Sequence, residues 1–328
     1  MQTDTPIDAL LAKLQPLRDA LGKAVVGQHD VVEQLLIGLL AGGHVLLEGA
    51  PGLGKTLLVR SLGQALELQF RRVQFTPDLM PSDILGTELL EEDHGTGHRH
   101  FRFQQGPIFT HLLLADELNR TPPKTQAALL EAMQEHTVSY AGVTHALPEP
   151  FFVLATQNPL EQAGTYPLPE AQLDRFLLHV RVDYPDEAEE RAILVNTTGS
   201  ASARVPEVLD GAAVLALQAL VREVHVGADL VDWINRLVRA TRPAYSPVEA
   251  VKQWVRWGAG PRAGQSLVLA AKARALLHGR YAATREDIAA LAAPVMRHRL
   301  LLSFAAEAEQ KGADDVIAAL LQAVPFPA

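Results

Sequence analysis

The stretch EGAPGLGKTLL, residues 48–58, carries the strongest structural signal in the sequence. It contains the spacing G-x-x-x-x-G-K-[ST], in which Gly49 and Gly54 are followed by Lys55 and Thr56. An apolar run, HVLLE (44–48), precedes this spacing, and a helical pattern follows it over 55–66. Glycines at these places let backbone N–H groups and a helix N-terminus face an anion, and Lys55 adds a positive charge. We therefore predict a phosphate-binding loop between a strand and a helix rather than a chance glycine turn.

This loop supplies most of the candidate nucleotide contacts. We expect it to bind the phosphates of ATP or ADP, with the Thr56 hydroxyl as a ligand of Mg²⁺. The candidate binding residues of this segment are Gly49, Pro51, Gly52, Leu53, Gly54, Lys55, Thr56 and Leu57.

A second motif, HLLLADE (111–117), places two adjacent carboxylates at the end of an apolar run. Ligands of open α/β sheets bind at the carboxyl ends of the strands, where Asp116 and Glu117 would lie. Mg²⁺ prefers oxygen ligands, so we assign Asp116 to nucleotide and metal binding, together with Thr56. Glu117 is then free to polarise the water that attacks the γ-phosphate. The alternative interpretation is a pair of solvated acids at a strand end.

Asn158 follows the next predicted strand, in the segment ATQNP. A neutral amide at this edge of the sheet can orient a water or contact the γ-phosphate without repelling it. Taken alone this signal is weak, because Asn before Pro commonly just begins a turn.

The first half of the chain alternates short apolar runs with helical patterns, as βαβ units do. Strands that are covered on both faces of a parallel sheet are apolar throughout. We therefore predict an α/β core with a five-stranded parallel sheet, whose strands are 44–48, 71–75, 111–115, 151–155 and 178–182.

Helical signals replace strand signals near residue 185. We expect an α/β nucleotide-binding domain over 1–185 and an all-helical domain over 186–328. Two segments interrupt the α/β pattern: TELLEEDHGTGHRHFRFQQ (87–105) and TVSYAGVTHAL (137–147), each of which we predict to be a β-hairpin.

Composition narrows the class of protein. The 328 residues include 48% hydrophobic and 20% charged residues, which is typical of a globular protein. A formal charge of −9 argues against a general nucleic-acid binder, and the absence of cysteine excludes disulfides and thiolate metal sites. No apolar stretch approaches the roughly 20 residues of a membrane span, so we predict a cytoplasmic protein without a membrane segment.

With these motifs in order, the chain resembles AAA+ ATPases. DELNRTPPKTQAALLEAMQE (116–135) and FFVLATQNPLEQAGTYPLPEAQLDRFL (151–177) are similar to the MoxR family in particular. The resemblance runs from about VVGQ (25–28) to GPRAGQ (260–265). It implies a P-loop AAA+ core, a helical lid, and a ring of six copies with nucleotide at the subunit interfaces.

The resemblance also implies roles for individual residues. Arg175 matches the family's arginine finger, Arg262 its sensor 2 arginine and Asn158 its sensor 1. Val26 and Gly27 match the segment that passes near the adenine. For Arg175 the alternative is a surface arginine paired with Asp174 or Glu170. Whether Arg262 acts on its own subunit's nucleotide or on a neighbour's stays open.

The family implies chaperone-like work on a client protein, often one with a von Willebrand factor A domain, and in related rings such hairpins face the pore or the client. A magnesium chelatase-like motor subunit and a nucleic-acid motor are the alternatives, although the acidic balance of the chain makes nucleic acid an unfavoured partner.

A Zn²⁺ site at His94, His98 and His100 is also unfavoured, because no fourth ligand is apparent. MRHRL (296–300) is interpreted as an exposed face or a complement to a helix dipole.

Overall fold

A computed structural model describes residues 7–25, 27–50, 52–92, 99–158, 164–197 and 205–326 of the chain. A parallel sheet of five strands forms its centre. These strands are β1 (Val45–Gly49), β2 (Phe70–Gln74), β5 (Leu112–Asp116), β8 (Phe152–Gln157) and β9 (Leu178–Val182). They lie side by side in the order β2-β5-β8-β1-β9. The prediction of a five-stranded parallel sheet is confirmed, with each strand within two residues of its expected bounds.

The inner strands of the sheet are covered on both faces, which explains their apolar runs, whereas the edge strand β2 (FRRVQ) has three exposed polar residues. Leu112 and Leu114 of β5 pack into one apolar core, whereas Leu113 and Ala115 pack into a second core on the opposite face. Successive side chains of a strand point to opposite faces, so one apolar run serves both cores.

Helices and short 3₁₀ turns surround this sheet. The helices of the first part are α1 (Ile7–Leu11), α2 (Leu14–Ala24), α3 (His29–Leu40), α4 (Lys55–Ala65), α5 (Pro81–Leu85), α6 (Pro123–Glu135), α7 (Glu170–Leu173) and α8 (Glu187–Thr197), with a 3₁₀ turn at Leu118–Arg120. Helix α8 begins with a reciprocal cap, because Asp186 N–H donates to the Glu189 carboxylate and Glu189 N–H donates to the Asp186 carboxylate.

The helical region, as we call α9–α15 with its connecting turns, follows. It contains α9 (Gly211–Glu223), α10 (Ala228–Ala240), α11 (Glu249–Trp254), α12 (Pro261–Leu277), α13 (Arg285–Met296), α14 (Phe304–Ala308) and α15 (Ala313–Ala323), 3₁₀ turns at Pro243–Tyr245 and Arg297–Arg299, and a small antiparallel pair of β10 (Val255–Trp257) and β11 (Leu301–Leu302). Within the described ranges, no helix is long and apolar enough to cross a membrane.

One apolar core joins the two parts of the molecule. It includes Leu10 and Leu47 from the first part and Leu267 and Leu320 from the helical region. The division near residue 185 therefore stays a prediction, since the sheet ends at Val182 but the packing continues across that point.

Two antiparallel pairs extend from the α/β pattern. Strands β3 (Gly86–Glu92) and β4 (Arg99–Gln105) pair along their whole length, and β6 (Thr137–Tyr140) pairs with β7 (Val143–Ala146). Ala141 and Gly142 make the second turn with φ of 48° and 82°, the left-handed values that a tight hairpin turn requires.

Candidate nucleotide-binding site

The phosphate loop connects the end of β1 to the first residue of α4. Gly52 and Gly54 have φ of 84° and 74°, and a Cβ added to either would meet no atom within 4 Å. Backbone in this left-handed region costs little only for glycine. At Gly49 a Cβ would instead lie 2.6 Å from the Val182 carbonyl oxygen, so the close approach of β9 also requires glycine there. The loop therefore presents an open backbone cradle at a helix N-terminus, which fits a polyphosphate.

Lys55 turns back over this loop. Its Nζ donates to the Gly49 carbonyl at 2.7 Å, which fixes the ammonium beside the cradle. Burial lowers the pKa of Lys55, and the nearby carboxylates of Asp116, Glu117 and Glu48 oppose that shift. Lys55 begins α4 directly after the loop at the carboxyl end of β1, and Asp116 and Glu117 lie at the carboxyl end of β5, so the three residues share one edge of the parallel sheet.

Thr56 and Leu57 are exposed on the first turn of α4, with Leu57 46% exposed. An exposed hydroxyl and a strand-end carboxylate are oxygen ligands of the kind Mg²⁺ prefers, so the donor set of Thr56 and Asp116 fits this ion. The loop residue Leu53 accepts a hydrogen bond from Gln28 Nε2 through its carbonyl at 2.7 Å.

Asp116 is held by two partners from neighbouring strands. Thr156 Oγ1 on β8 donates to its Oδ1 at 2.6 Å, and Arg72 Nη2 on β2 donates to its Oδ2 at 2.6 Å. The same Thr156 hydroxyl accepts from the backbone N–H of Glu117 at 2.8 Å. Sequence reasoning missed both partners. The available signal was a pair of arginines, Arg71 and Arg72, inside a predicted strand.

Glu117 has a left-handed backbone, with φ of 57° and ψ of 49°. This conformation is uncommon for a residue with a side chain and marks a position fixed by its surroundings. Gln74 Nε2 donates to its Oε2 at 2.7 Å, and Arg120 Nε lies 3.2 Å from the same oxygen. The carboxylate therefore lies beyond the strand end, oriented by side chains of β2 and of the following 3₁₀ turn.

Asn158 directly follows β8, which lies between β5 and β1 in the sheet. Because β8 runs parallel to β5 and β1, Asn158 lies at the same carboxyl edge as Asp116 and the phosphate loop, where it is 6% exposed. Gly27 has a left-handed φ of 79°, and a Cβ there would lie 2.8 Å from the Glu189 side chain of α8. Two of the predicted nucleotide contacts, Val26 and Pro51, lie outside the described residues.

Arg175 and Arg262 lie together at a different place. Asp174 accepts from Arg299 Nε at 2.6 Å through Oδ1, and Arg262 Nη1 lies 3.6 Å from its Oδ2. We call Asp174, Arg262 and Arg299 the Asp174 cluster. The alternative interpretation of Arg175 pairs it with Asp174 or Glu170; among the described residues no such ion pair forms, and Asp174 contacts Arg299 and Arg262 instead.

The interpretation of MRHRL as an exposed face is wrong, because His298 and Arg299 are only 7% and 8% exposed. Arg299 Nη2 donates to the Phe176 carbonyl at 2.7 Å, and His298 Nε2 lies 3.1 Å from the same carbonyl oxygen. Burial lowers the pKa of His298 well below its ordinary value, and the adjacent Arg299 lowers it further. The sequence gives little warning of this, since arginine and histidine in a polar turn are usually solvated.

The structure thus brings Lys55, Asp116 and Glu117 together, but it does not join them to the two predicted arginines. Among the described residues, no hydrogen bond or ion pair links Arg175 or Arg262 to the phosphate loop.

Of the histidines at which a Zn²⁺ site was unfavoured, His94 and His98 lie outside the described residues. His100 is exposed and its Nε2 lies 3.8 Å from a Glu91 carboxylate oxygen. A search of the described ranges finds no group of three or more side chains that could hold a metal ion.

Comparison with known proteins matches two family models to this chain. The model of the ATPase family associated with various cellular activities (AAA) matches residues 44–178, and the AAA lid domain model matches residues 249–320. Both nucleotide motifs therefore lie inside the first match. The Asp174 cluster spans the two matches, since Asp174 lies in the first and Arg262 and Arg299 lie in the second.

Curated relatives match almost the whole chain. Chaperone MoxR1 of Mycobacterium tuberculosis is 43% identical over 324 residues, which cover 98% of this chain and 85% of that protein. Protein MoxR of Paracoccus denitrificans is 33% identical, with 99% of each chain covered. Among solved structures, a candidate ATPase from Cytophaga hutchinsonii is 40% identical with a TM-score of 0.90, covering 97% of this chain and 96% of its own.

Proposed function

We propose a mechanism for this chain on the premise of its family: it belongs to the MoxR family of AAA+ ATPases. The proposal is that it hydrolyses ATP with Mg²⁺ at the subunit interfaces of a homo-hexameric ring. The energy of hydrolysis would remodel or activate a partner protein in a chaperone-like way. Membership of this family supports ATPase activity.

The observation that carries this proposal is the separation of the site into two parts. Lys55, Asp116 and Glu117 lie together at the sheet edge, whereas Arg175 lies beside the Asp174 cluster without a described carboxylate partner. An unpaired, half-buried guanidinium is unusual, because charged side chains gain from a partner when water is limited. A second copy of the chain can supply that partner as the phosphates of its own bound ATP.

Within one subunit, the phosphate loop and Lys55 would bind the phosphates, and Gly27 and Val26 would approach the adenine. Thr56 and Asp116 would hold Mg²⁺, which when bound supplies positive charge to the phosphate oxygens. Glu117 would accept the proton of the attacking water, and Asn158 would orient that water. Thr156 supports this arrangement by fixing both the Asp116 carboxylate and the Glu117 backbone.

The second subunit would contribute Arg175. Negative charge spreads over the γ-phosphate oxygens in phosphoryl transfer, and an arginine inserted there accelerates the reaction by roughly 10³ to 10⁵. Arg262 contacts Asp174, the residue before Arg175, so the two arginines belong to the same part of the molecular surface. We therefore propose that Arg262 also acts on the nucleotide of a neighbouring subunit.

The two hairpins are the candidate client surface. Their exposed apolar side chains include Leu90, Phe101 and Val143, which are 55%, 68% and 55% exposed. The cations of the first hairpin are already paired, since Arg99 contacts Glu92 and Arg102 contacts Glu91. A surface of apolar groups with neutralised cations favours a protein client, for example one with a von Willebrand factor A domain, over nucleic acid.

The dependence of ATPase activity on assembly tests the proposal. We expect the specific activity to rise with protein concentration in step with ring formation followed by native mass spectrometry. The Lys55→Ala variant is the control, since it should lose nucleotide binding and turnover at every concentration. Full activity of isolated monomers would contradict the interface mechanism.

A further inference from the structure

Arg299 ties the helical region to the segment that carries Arg175. We call residues 174–177 the Arg175 loop. Arg299 ends the 3₁₀ turn after α13, and its Nε donates to Asp174 Oδ1 at 2.6 Å. Its Nη2 donates to the Phe176 carbonyl at 2.7 Å. The planar guanidinium therefore contacts the residues on both sides of Arg175.

The remaining donors of Arg299 reach further groups. Nη2 also lies 3.3 Å from the Asp174 carbonyl and 3.2 Å from Ser266 Oγ of α12. Nη1 donates to the Leu177 carbonyl at 3.3 Å and to the Val295 carbonyl at the end of α13. All of the guanidinium nitrogens have acceptors, which a side chain only 2% exposed requires. One side chain thus fixes the Arg175 loop against two helices.

This contact decides what Asp174 can do. Asp174 adjoins Arg175 in the chain and would otherwise be its nearest carboxylate. Because Arg299 takes Oδ1 and Arg262 approaches Oδ2, the carboxylate is occupied by arginines of the helical region. Arg175 is left without a described carboxylate partner, and its backbone is held by a hydrogen bond from its N–H to the Gln172 carbonyl.

We propose that Arg299 is a positioning residue for Arg175. It holds the Arg175 loop in one conformation and keeps the Asp174 carboxylate away from the Arg175 guanidinium, so that Arg175 can reach the phosphates of a neighbouring subunit. This inference rests on the proposed function, in which Arg175 acts between subunits. The opposing interpretation is that Arg299 only anchors the helical region to the sheet.

Mixed assemblies separate the two interpretations. A subunit with Arg299→Met keeps its own phosphate loop but would present a misplaced Arg175. A subunit with Lys55→Ala cannot bind nucleotide but presents an intact Arg175. Rings that contain both should place intact Arg175 residues next to intact phosphate loops, so activity should return.

We expect Arg299→Met alone to bind a fluorescent ADP analogue within about twofold of the unmodified protein. Its kcat should fall on the order of 10-fold to 100-fold, the typical cost of misplacing a catalytic group by about 1 Å. Mixed with Lys55→Ala, it should recover as far as Arg175→Ala recovers in the same mixture. Mixed with Arg175→Ala, it should not recover, because neither subunit then supplies a placed Arg175.

The reference mixture distinguishes the two levels of the proposal. If Arg175→Ala with Lys55→Ala shows no recovery, the proposed interface mechanism fails. If that mixture recovers but Arg299→Met with Lys55→Ala does not, Arg299 acts within its own subunit and the positioning role is overturned.

Arg297→Met is a matched control from the same turn. Arg297 is also an anchor of the helical region, since it donates to the His179 carbonyl at 2.9 Å and to Asp314 at 3.0 Å, but no described contact joins it to the Arg175 loop. Its loss should lower thermal stability without producing activity that Lys55→Ala subunits restore. An equal recovery of Arg297→Met would show that general anchoring explains the effect and would overturn the inference.

A second variant covers the case in which Arg299→Met does not fold. Asp174→Asn removes the charge of the same contact from the other side while retaining an oxygen acceptor for Arg299. It should show a smaller loss of kcat with the same recovery in the Lys55→Ala mixture. Unchanged kcat in a folded Asp174→Asn protein would contradict the positioning role.

Discussion

The phosphate loop at residues 48–58 and the Arg175 loop at residues 174–177 hold their charged groups by different means. The phosphate loop is one continuous segment, and Lys55 is fixed by a carbonyl only six residues away. The Arg175 loop instead depends on contacts of Asp174 with Arg262 and Arg299, which come from two distant parts of the chain. The first arrangement is local and complete in the sequence, whereas the second exists only after the helical region has packed against the sheet.

The largest effect should come from Arg175→Ala, which removes the group that the second arrangement supports. We expect kcat to fall by roughly 10³ to 10⁵ while nucleotide affinity stays close to that of the unmodified protein. Steady-state ATPase assays and equilibrium binding of a fluorescent nucleotide measure the two quantities. Arg285→Ala, at the exposed start of α13, is the control and should leave both unchanged. A fall in affinity as large as the fall in kcat would mean that Arg175 binds nucleotide together with the phosphate loop, instead of acting only in the hydrolysis step.

Glu117→Gln should have the next largest effect, and it changes the site beside the phosphate loop instead of the Arg175 loop. The amide keeps the shape of the side chain but cannot accept the proton of the attacking water, so kcat should fall by roughly 10² to 10⁴. ATP binding should persist, because Lys55 and the loop are intact. Single-turnover hydrolysis measures the chemical step, with Glu131→Gln on the exposed face of α6 as the control. Here, unlike Arg175→Ala, Lys55→Ala subunits should bring no recovery. Recovery would mean that Glu117 acts across the interface.

Acid should lower the stability of the folded chain, because two buried histidines, His44 and His298, resist protonation. His44, at the start of β1, is enclosed and bonded to Met133 and Val153, and burial lowers its pKa from 6.5 to about 4. A lowered pKa means that the folded state resists protonation. The contribution of neutral His44 to the free energy of unfolding is therefore complete above pH 6.5. It is lost, by about 3 kcal/mol, as pH falls from 6.5 to about 4.

Urea unfolding at a series of pH values measures this loss. His44→Gln should flatten the pH dependence in that window, while His100→Gln on the exposed hairpin should not. His298→Gln should act in the same direction as His44→Gln, because burial also lowers the pKa of His298. An unchanged slope in both His44→Gln and His298→Gln would remove the buried histidines as the cause.

Arg262→Ala should have the smallest effect, about tenfold in kcat, the value of one charge-assisted hydrogen bond. Its side chain is 48% exposed and lies 3.6 Å from Asp174, so it is held less firmly than Arg299. Recovery in a mixture with Lys55→Ala would place its action on a neighbouring subunit. Absence of recovery, with Arg175→Ala recovering in parallel, would place it on its own nucleotide and separate it from Arg175.

The same contrast explains what the sequence could predict. The five strands and the phosphate loop follow from local patterns, because apolar runs and glycine spacing act through neighbouring residues. Arg175 and Arg262 were indicated by the family resemblance and not by a local pattern.

Three other groups escaped sequence reasoning. Arg72 and Gln74 contact Asp116 and Glu117 only because β2 pairs with β5 in the sheet. Arg299 was interpreted as exposed, because an arginine in a short polar turn is ordinarily solvated and nothing near it in the sequence announces its acceptors. In each case the missing information was which distant backbone lies next to the side chain.

The single apolar core that contains both Leu47 of the sheet and Leu267 of the helical region has a consequence for how the chain unfolds. Regions that share one core cannot melt separately without exposing that core to water. Heating should therefore give one cooperative calorimetric transition, and a chain truncated at residue 185 should aggregate instead of folding as an independent half. In the proposed ring, motion would then occur between whole subunits rather than between two parts of one subunit.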